Sequence, residues 1–144
     1  MVESKSENRK TKTGPTQTPI RDFTDVVVWK LARELRSTVY RLAKKFPPEE
    51  RHALTAQIRR AAVSVTANLA EGYGRFSYQQ NIQFCRHSRG SVYEVRDHLT
   101  TALDQGYISS ADCKESDALA RRVIQVVHGY IRSTQQLRKD RPER

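Results

Sequence analysis

Cysteine is scarce in this sequence. Among 144 residues there are two cysteines, Cys85 and Cys113, and they do not form a C-x-x-C motif. A disulfide framework is therefore not expected, and this cysteine usage favours a reducing cytoplasm. The four histidines have no metal-ligand spacing and fall on different helical faces. We expect no metal site and no cofactor.

Long apolar runs are also missing. No segment reaches 18 consecutive apolar residues, and the first twenty residues lack the apolar core of a signal peptide. The sequence therefore predicts neither a membrane span nor a signal peptide. No segment alternates apolar and polar residues with a period of two, and no two-residue hairpin signal occurs. Strands are not expected, which leaves an all-α fold.

Acidic residues are few relative to basic ones. The chain has 16 Asp+Glu against 26 Lys+Arg, which gives a formal net charge of +10. Most of this excess lies between residues 21 and 138, so the folded part itself is expected to be basic. Such a balance attracts phosphate backbones or other anionic surfaces. The alternative is a basic protein without a polyanion partner, whose charge serves solubility.

Three breaks rich in proline or glycine divide the chain into blocks of helical length. Each block carries apolar residues at steps of three and four. Because short connections make neighbouring helices antiparallel, the sequence predicts an antiparallel up-down-up-down four-helix bundle. We assign residues 23–138 to the bundle, 1–22 to a disordered basic arm and 139–144 to a disordered tail. The breaks are Pro47-Pro48, Gly72 to Gly74, and Gly106 to Ser110.

Each predicted helix has one apolar stripe for the core. We expect helix 1 from about Asp25 to Lys45, helix 2 from Pro48 to about Glu71, helix 3 from a Ser77 cap, and helix 4 from near Ser110. The expected core residues are Val28, Leu31, Ala32, Leu35, Val39, Leu42 and Phe46; Leu54, Ile58, Ala61, Ala62, Val65 and Leu69; Phe84, Cys85, Ser88, Val92, Val95, Leu99 and Leu103; and Leu119, Val123, Val126, Val127, Tyr130 and Leu137.

Helix 2 has a second apolar face, opposite its core stripe. Small residues on such a face let another backbone approach closely, which predicts a subunit interface. The alternative is that exposed alanines are simply good helix formers. The candidate interface residues are Ala56, Val63, Ala67 and Ala70 on helix 2, together with Trp29 on helix 1 and Tyr78 and Ile82 on helix 3.

Helix 3 carries an outer stripe in which arginines alternate with aromatic residues. Guanidinium groups contact phosphates, and planar rings accept stacked bases, so the stripe suits a nucleic-acid surface. Arginine and tyrosine are also enriched at protein interfaces, so a subunit contact explains the stripe equally well. The stripe is Tyr78, Ile82, Arg86, Arg89, Tyr93 and Arg96.

Arginines on the other helices extend the candidate surface. Helix 1 carries Trp29, Arg33, Arg36 and Tyr40 away from its core stripe, with the same two interpretations. On helix 4, Arg121, Arg122 and Arg132 would add to any polyanion site. The candidate nucleic-acid contacts are Arg59, Arg60, Arg75, Arg86, Arg89, Arg96 and Tyr93.

The glycines between helices 2 and 3 do not form a nucleotide loop. The string GYGRFS lacks the third glycine of the dinucleotide fingerprint and follows a helix, where that fingerprint follows a strand. We predict that Gly72 ends helix 2 and that Ser77 caps helix 3. Arg75 lies beside the free N–H groups at a helix start, where a phosphate can bind. No nucleophile with its base is evident either, so we expect a protein that is not an enzyme.

Several of these strings together resemble a known family. FTDVVVW (Phe23 to Trp29), LTAQIRRAAVSVTANLAEGYGR (Leu54 to Arg75), SRGSVYEV (Ser88 to Val95) and GYIS (Gly106 to Ser109) are similar to the four-helix bundle proteins encoded in intervening sequences of bacterial 23S ribosomal RNA. The resemblance covers about residues 23–135. It departs from the family pattern at Thr66, where the family commonly has proline, so the resemblance does not carry a proline kink into helix 2.

The resemblance implies an assembly rather than a reaction. Members of the family are cytosolic bundles that form homopentamers around a central channel, and no catalytic residues are known that could be carried over. A related group, the accessory variability determinant proteins of diversity-generating retroelements, binds nucleic acid and a reverse transcriptase. The resemblance therefore implies a homo-oligomer, expected to be a pentamer, with nucleic acid or a reverse transcriptase as the expected partner.

Two function classes remain open from the sequence. The first is an oligomeric bundle that binds RNA or DNA mainly through phosphates, with weak sequence preference. The second is a protein-interaction scaffold or accessory subunit, in which the stripe of arginines and tyrosines is a subunit contact.

Overall fold

The computed structural model describes residues 19–141, and all regular secondary structure in that range is helical. Residues 1–18 of the predicted arm and residues 142–144 of the predicted tail lie outside the described range. Two short 3-10 turns, Phe23–Asp25 and Pro48–Glu50, precede the first two helices. The helices are α1 (Val27–Ala43), α2 (Leu54–Gly74), α3 (Tyr78–Asp104) and α4 (Ser110–Asp140).

Two serine caps fix the starts of the longest helices. The Ser77 hydroxyl oxygen accepts a hydrogen bond from the Gln80 N–H at 3.2 Å, which confirms the predicted cap of α3. Ser109 caps α4 in the same way and forms a capping box with Asp112. Each cap satisfies a backbone donor that the first helical turn leaves without a partner.

The start of α2 differs from the prediction. Pro48 was expected in the first turn of this helix, but it belongs to a separate 3-10 turn, and α2 begins six residues later at Leu54. The reason is a change of backbone direction at Ala53, whose φ and ψ are −119° and −107°. The Glu50 carboxylate then accepts the Leu54 N–H at 2.9 Å, so an acidic side chain caps the helix from the preceding turn.

The prediction that Gly72 ends α2 is wrong. The helix continues to Gly74, and Gly72 is buried where α2 crosses the start of α3. A Cβ at this position would lie 2.9 Å from Phe84 Cβ and 2.7 Å from Asn81 Oδ1. The glycine is therefore required by the close approach of two helices and not by a turn.

The four helices enclose one core, with α1 and α3 each packed between α2 and α4. The largest fully buried side chains come from all four stripes and include Leu35, Ile58, Leu99 and Val123. Helix α2 passes through Thr66 without interruption, and the buried Thr66 hydroxyl donates to the Val63 carbonyl at 3.1 Å. Leu137, expected in the core, is 43% exposed because it lies near the end of α4, beyond the buried Thr134.

Candidate nucleic-acid interface

Arg86 and Arg89 lie on the flank of α3 that faces α4. Arg86 is exposed and Arg89 is half-buried. Within residues 19–141, neither guanidinium has an ion pair with a carboxylate. Tyr93 follows one turn later and is 51% exposed. This part of the predicted stripe is therefore open to a ligand on the surface of the chain.

Arg96, at the far end of the stripe, is engaged by an acidic residue. Its Nε lies 2.8 Å from one oxygen of Asp117 on α4, and the Arg121 Nε lies 2.7 Å from the other oxygen. The Arg96 guanidinium also sits over the Tyr93 ring, 5.4 Å from its centroid. Asp117 thus holds two arginines side by side, and Arg121 joins the surface predicted for α3.

The pKa of Asp117 reports the same contacts. Partial burial raises it, but hydrogen bonds and charge from Arg121 and Arg96 outweigh burial and hold the pKa of this carboxyl below its usual value. A carboxyl group whose pKa is lower in the folded state than in the unfolded state stabilises the fold at pH values above its unfolded-state pKa. This stabilisation is lost as the pH falls through the folded-state pKa. At neutral pH Asp117 is therefore charged and neutralises part of the positive surface.

A polar groove of about 500 Å³ forms the other end of this face. It brings Arg86 of α3 beside Arg138 of α4, between glutamine side chains of both helices. Arg138 Nη2 donates to Gln79 Oε1 at 3.3 Å, which holds the start of α3 against the last turn of α4. The sequence reasoning missed Arg138, because its position beside α3 depends on how the two helices pack.

The remaining predicted arginines lie on other surfaces. Arg59 faces α1, with its guanidinium 5.2 Å from the Tyr40 ring centroid, and Arg60 is exposed on α2. Arg75 pairs with Glu71 at 2.9 Å and covers the Phe84 ring. The candidate contacts therefore do not form one site. Arg86, Arg89, Tyr93 and Arg96 share a face, whereas Arg59, Arg60 and Arg75 are separate from it.

The candidate subunit-interface residues differ in how exposed they are. On α2, Val63 is 41% exposed and Ala67 is exposed, while Ala56 and Ala70 are half-buried. Tyr78 is also half-buried. Their place in an interface stays a prediction.

Trp29 and Ile82 differ from the expectation of outer positions. They are 8% and 4% exposed and belong to the core of the single chain. Trp29 is covered by Phe23 at a centroid distance of 5.1 Å and by the Arg33 guanidinium. The placement of both residues on an outer face is therefore wrong, because contacts inside the chain already cover them.

The two cysteines have thiols that resist ionisation. Burial raises the pKa of Cys85 to about 12. The pKa of Cys113 is raised by partial burial and then by the negative charges of Asp117 and Asp104. Both pKa values are thus shifted in the direction opposite to that of a reactive cysteine. Within residues 19–141 no group of His, Cys, Asp or Glu is arranged to hold a metal ion.

None of the helices in the described part of the chain combines the length and the apolar character that crossing a bilayer requires.

Comparisons with known proteins agree with the resemblance of the sequence. No curated protein matches the chain. Among solved structures, a protein of unknown function from the S23 ribosomal protein family of Bacteroides thetaiotaomicron matches with a TM-score of 0.67 at 19% identity, over 73% of this chain and 98% of the other. The family model described as 23S rRNA-intervening sequence protein matches residues 24–129. The chain therefore belongs to the family of 23S rRNA-intervening sequence proteins.

Proposed function

We propose that this protein is not an enzyme but an oligomeric four-helix bundle that binds nucleic acid mainly through phosphates. The observation that carries the proposal is the α3–α4 face, where Arg86 and Arg89 form no ion pair within residues 19–141 and Arg86 shares a groove with Arg138. Guanidinium groups without carboxylate partners attract phosphate oxygens, and each contact releases condensed counterions. Tyr93, half exposed on the same face, offers a ring for a base or a sugar.

The proposed bundle has antiparallel up-down-up-down topology and works in the cytoplasm. Contacts between opposite helix ends support the topology: Lys45 after α1 pairs with Asp112 at the start of α4, and Asn81 near the start of α3 donates to Tyr130 late in α4. The proposed assembly is a homo-oligomer, taken as a pentamer from the resemblance. The exposed Val63 and Ala67 support a contact between copies along α2.

Arg86→Gln/Arg89→Gln tests the proposal. We expect about tenfold weaker binding of labelled RNA and DNA at fixed salt, because two phosphate contacts are lost. The slope of log affinity against log salt becomes less steep by about 1.4 for single strands and about 1.8 for duplex DNA. Fluorescence anisotropy of nuclease-treated protein over a salt series measures both quantities.

Lys30→Gln/Arg122→Gln is the matched control, because it removes two exposed cations that line neither of the cavities between α3 and α4. It is expected to keep the wild-type salt slope. Light scattering on every variant checks that the assembly is intact. Wild-type protein that binds neither polymer at low salt would contradict the proposed function, and unchanged binding by the Arg86/Arg89 variant would remove the α3–α4 face from it.

The second candidate function is that of an accessory subunit for a protein such as a reverse transcriptase. An apolar cavity of about 600 Å³ at one end of the bundle favours it. Phe76 is fully exposed there, and Ile20 and Leu137 line the same cavity at 56% and 43% exposure. Exposed apolar side chains grouped in this way are typical of protein contacts.

Phe76→Ser/Leu137→Ser tests this second function. If it is correct, a protein that co-purifies with the tagged wild-type chain from nuclease-treated extract is lost with this variant and kept with Arg86→Gln/Arg89→Gln. Both residues are exposed, so the variant is expected to fold as the wild type does. A partner that is equally retained by both variants, or that disappears on nuclease treatment, would contradict a protein-docking role for this cavity.

A further inference from the structure

A second basic surface, separate from the α3–α4 face, lies in the groove between α1 and α2. The groove encloses about 510 Å³. Three of the residues that line it are cationic and none is acidic. The lining residues are Arg36, Ser37, Tyr40, Arg41, Lys44 and Val63. A concave surface with charge of one sign concentrates counterions of the opposite sign.

The groove holds one of its cations in a fixed position. Arg36 is half-buried, and its Nη1 donates to the Thr66 hydroxyl oxygen at 2.9 Å. Thr66 itself is buried and donates to the Val63 carbonyl, so this acceptor is anchored to the backbone of α2. The guanidinium is therefore positioned without a carboxylate, and its charge is left for a ligand.

The other cations of the groove are also without acidic partners. Within residues 19–141, Arg41 and Lys44 form no ion pair, and neither does Arg59, which lies on α2 beside the groove. Arg59 stacks on the Tyr40 ring, and its buried Nε has no hydrogen-bond acceptor among the described residues. Tyr40 is nevertheless 40% exposed. The groove thus combines three unneutralised cations, and Arg59 beside them, with an aromatic ring accessible from solvent.

We infer that a nucleic-acid strand lies along this groove, with its phosphates on Arg36, Arg41 and Lys44. Residues 36–44 span about 12 Å along α1, so the three cations are spaced to contact successive phosphates of one strand. The exposed part of Tyr40 provides a platform for a base. The inference rests on the proposed function and adds a binding surface to it, distinct from the α3–α4 face.

A polyanion fits this groove better than a second copy of the chain does. A copy would have to bring several carboxylates to these cations, whereas a nucleic-acid strand carries one negative charge at every nucleotide. Val63, at the edge of the groove, is also a candidate contact between copies. The mass of the assembly therefore has to be measured together with binding.

The test is Arg41→Gln/Lys44→Gln, which changes two exposed residues and leaves the Arg36–Thr66 hydrogen bond in place. The probe is a labelled single-stranded RNA, with a mononucleotide as the small-anion arm. We expect affinity for the strand to fall about tenfold and the salt slope to become less steep by about 1.4. Lys30→Gln/Arg122→Gln keeps the wild-type slope. Adding Arg86→Gln/Arg89→Gln is expected to weaken binding further, because the two surfaces are separate.

The outcomes separate this inference from the proposed function. Wild-type protein without salt-dependent binding overturns both. Wild-type binding that Arg41→Gln/Lys44→Gln leaves unchanged in affinity and slope overturns the groove alone. A smaller assembly mass for this variant would show that a second copy occupies the groove, and a mononucleotide that binds as tightly as the strand would show a small-anion site. Either result overturns the assignment to nucleic acid.

Discussion

Gly72→Ala is expected to lower the free energy of unfolding by about 2–3 kcal/mol, because the added methyl group has no space between α2 and α3. The new Cβ would lie 2.9 Å from Phe84 Cβ and 3.2 Å from the Asn81 carbonyl oxygen. Both atoms are fixed by the start of α3, so the helices themselves must separate. Urea or guanidinium unfolding followed by circular dichroism measures the loss.

The third neighbour of the new methyl group links Gly72→Ala to α4. Asn81 Oδ1 would lie 2.7 Å from the new Cβ, and rotating this amide away would strain its Nδ2 hydrogen bond to the Tyr130 hydroxyl. Relieving the clash between α2 and α3 therefore disturbs the contact between α3 and α4. The side chain cannot move aside without cost.

Gly90→Ala is the matched control for Gly72→Ala. Gly90 lies in the middle of α3 and is exposed, and among the described residues nothing beyond the adjacent helix backbone lies within 4 Å of the position of an added Cβ. The methyl group should therefore act only on helix propensity and raise stability by up to about 1 kcal/mol. If both variants unfold at the same denaturant concentration as the wild type or above it, the close approach of α2 and α3 at Gly72 is contradicted.

Gly72 also shows where reasoning from sequence stops. A glycine near the end of an apolar stripe predicts a helix end, since glycine is common just after the last helical turn. The structure instead continues α2 by two residues and uses Gly72 for packing against α3. Local patterns describe one helix at a time, and the need for a small residue at a crossing arises only when the second helix is in place.

The core stripes were predictable because helical periodicity is a local property. Leu35, Val39, Ile58 and Val65 were expected inside, and all are fully buried. The flanks of each stripe were not predictable in the same way. Ile82 sits four residues from the outward Arg86 and is buried, because the rotation of α3 against α4 decides which flank is covered.

The ion pairs between helices could not be predicted from the sequence either. Asp117 meets Arg96 across 21 residues of chain, and its place between two arginines depends on the register of α3 against α4. Only part of the basic groove between α1 and α2 could be predicted from the sequence. The pattern on helix 1 included Arg36 and Tyr40, whereas Arg41 and Lys44 are recognised as their neighbours only because all four line one groove with Val63 of α2. Sites shared by two helices require the packed structure.

Ile58→Ala is expected to lower the free energy of unfolding by about 3 kcal/mol. Ile58 is fully buried on the inner face of α2, and truncation leaves a cavity that the neighbouring helices fill only in part. The loss combines the lost burial of three carbon atoms with the lost van der Waals contacts around them. Denaturant unfolding at a low protein concentration measures this loss for the single chain.

Val63→Ala on the opposite face of α2 separates packing within the chain from packing between copies. Val63 is 41% exposed, so we expect a loss of less than about 0.5 kcal/mol at low protein concentration. If copies meet along this face, the loss becomes larger at high concentration, because assembly adds to stability by mass action. A similar loss for Ile58→Ala and Val63→Ala at low concentration would contradict the assignment of inner and outer faces. A loss for Val63→Ala that does not change with concentration would remove this residue from the proposed contact between copies.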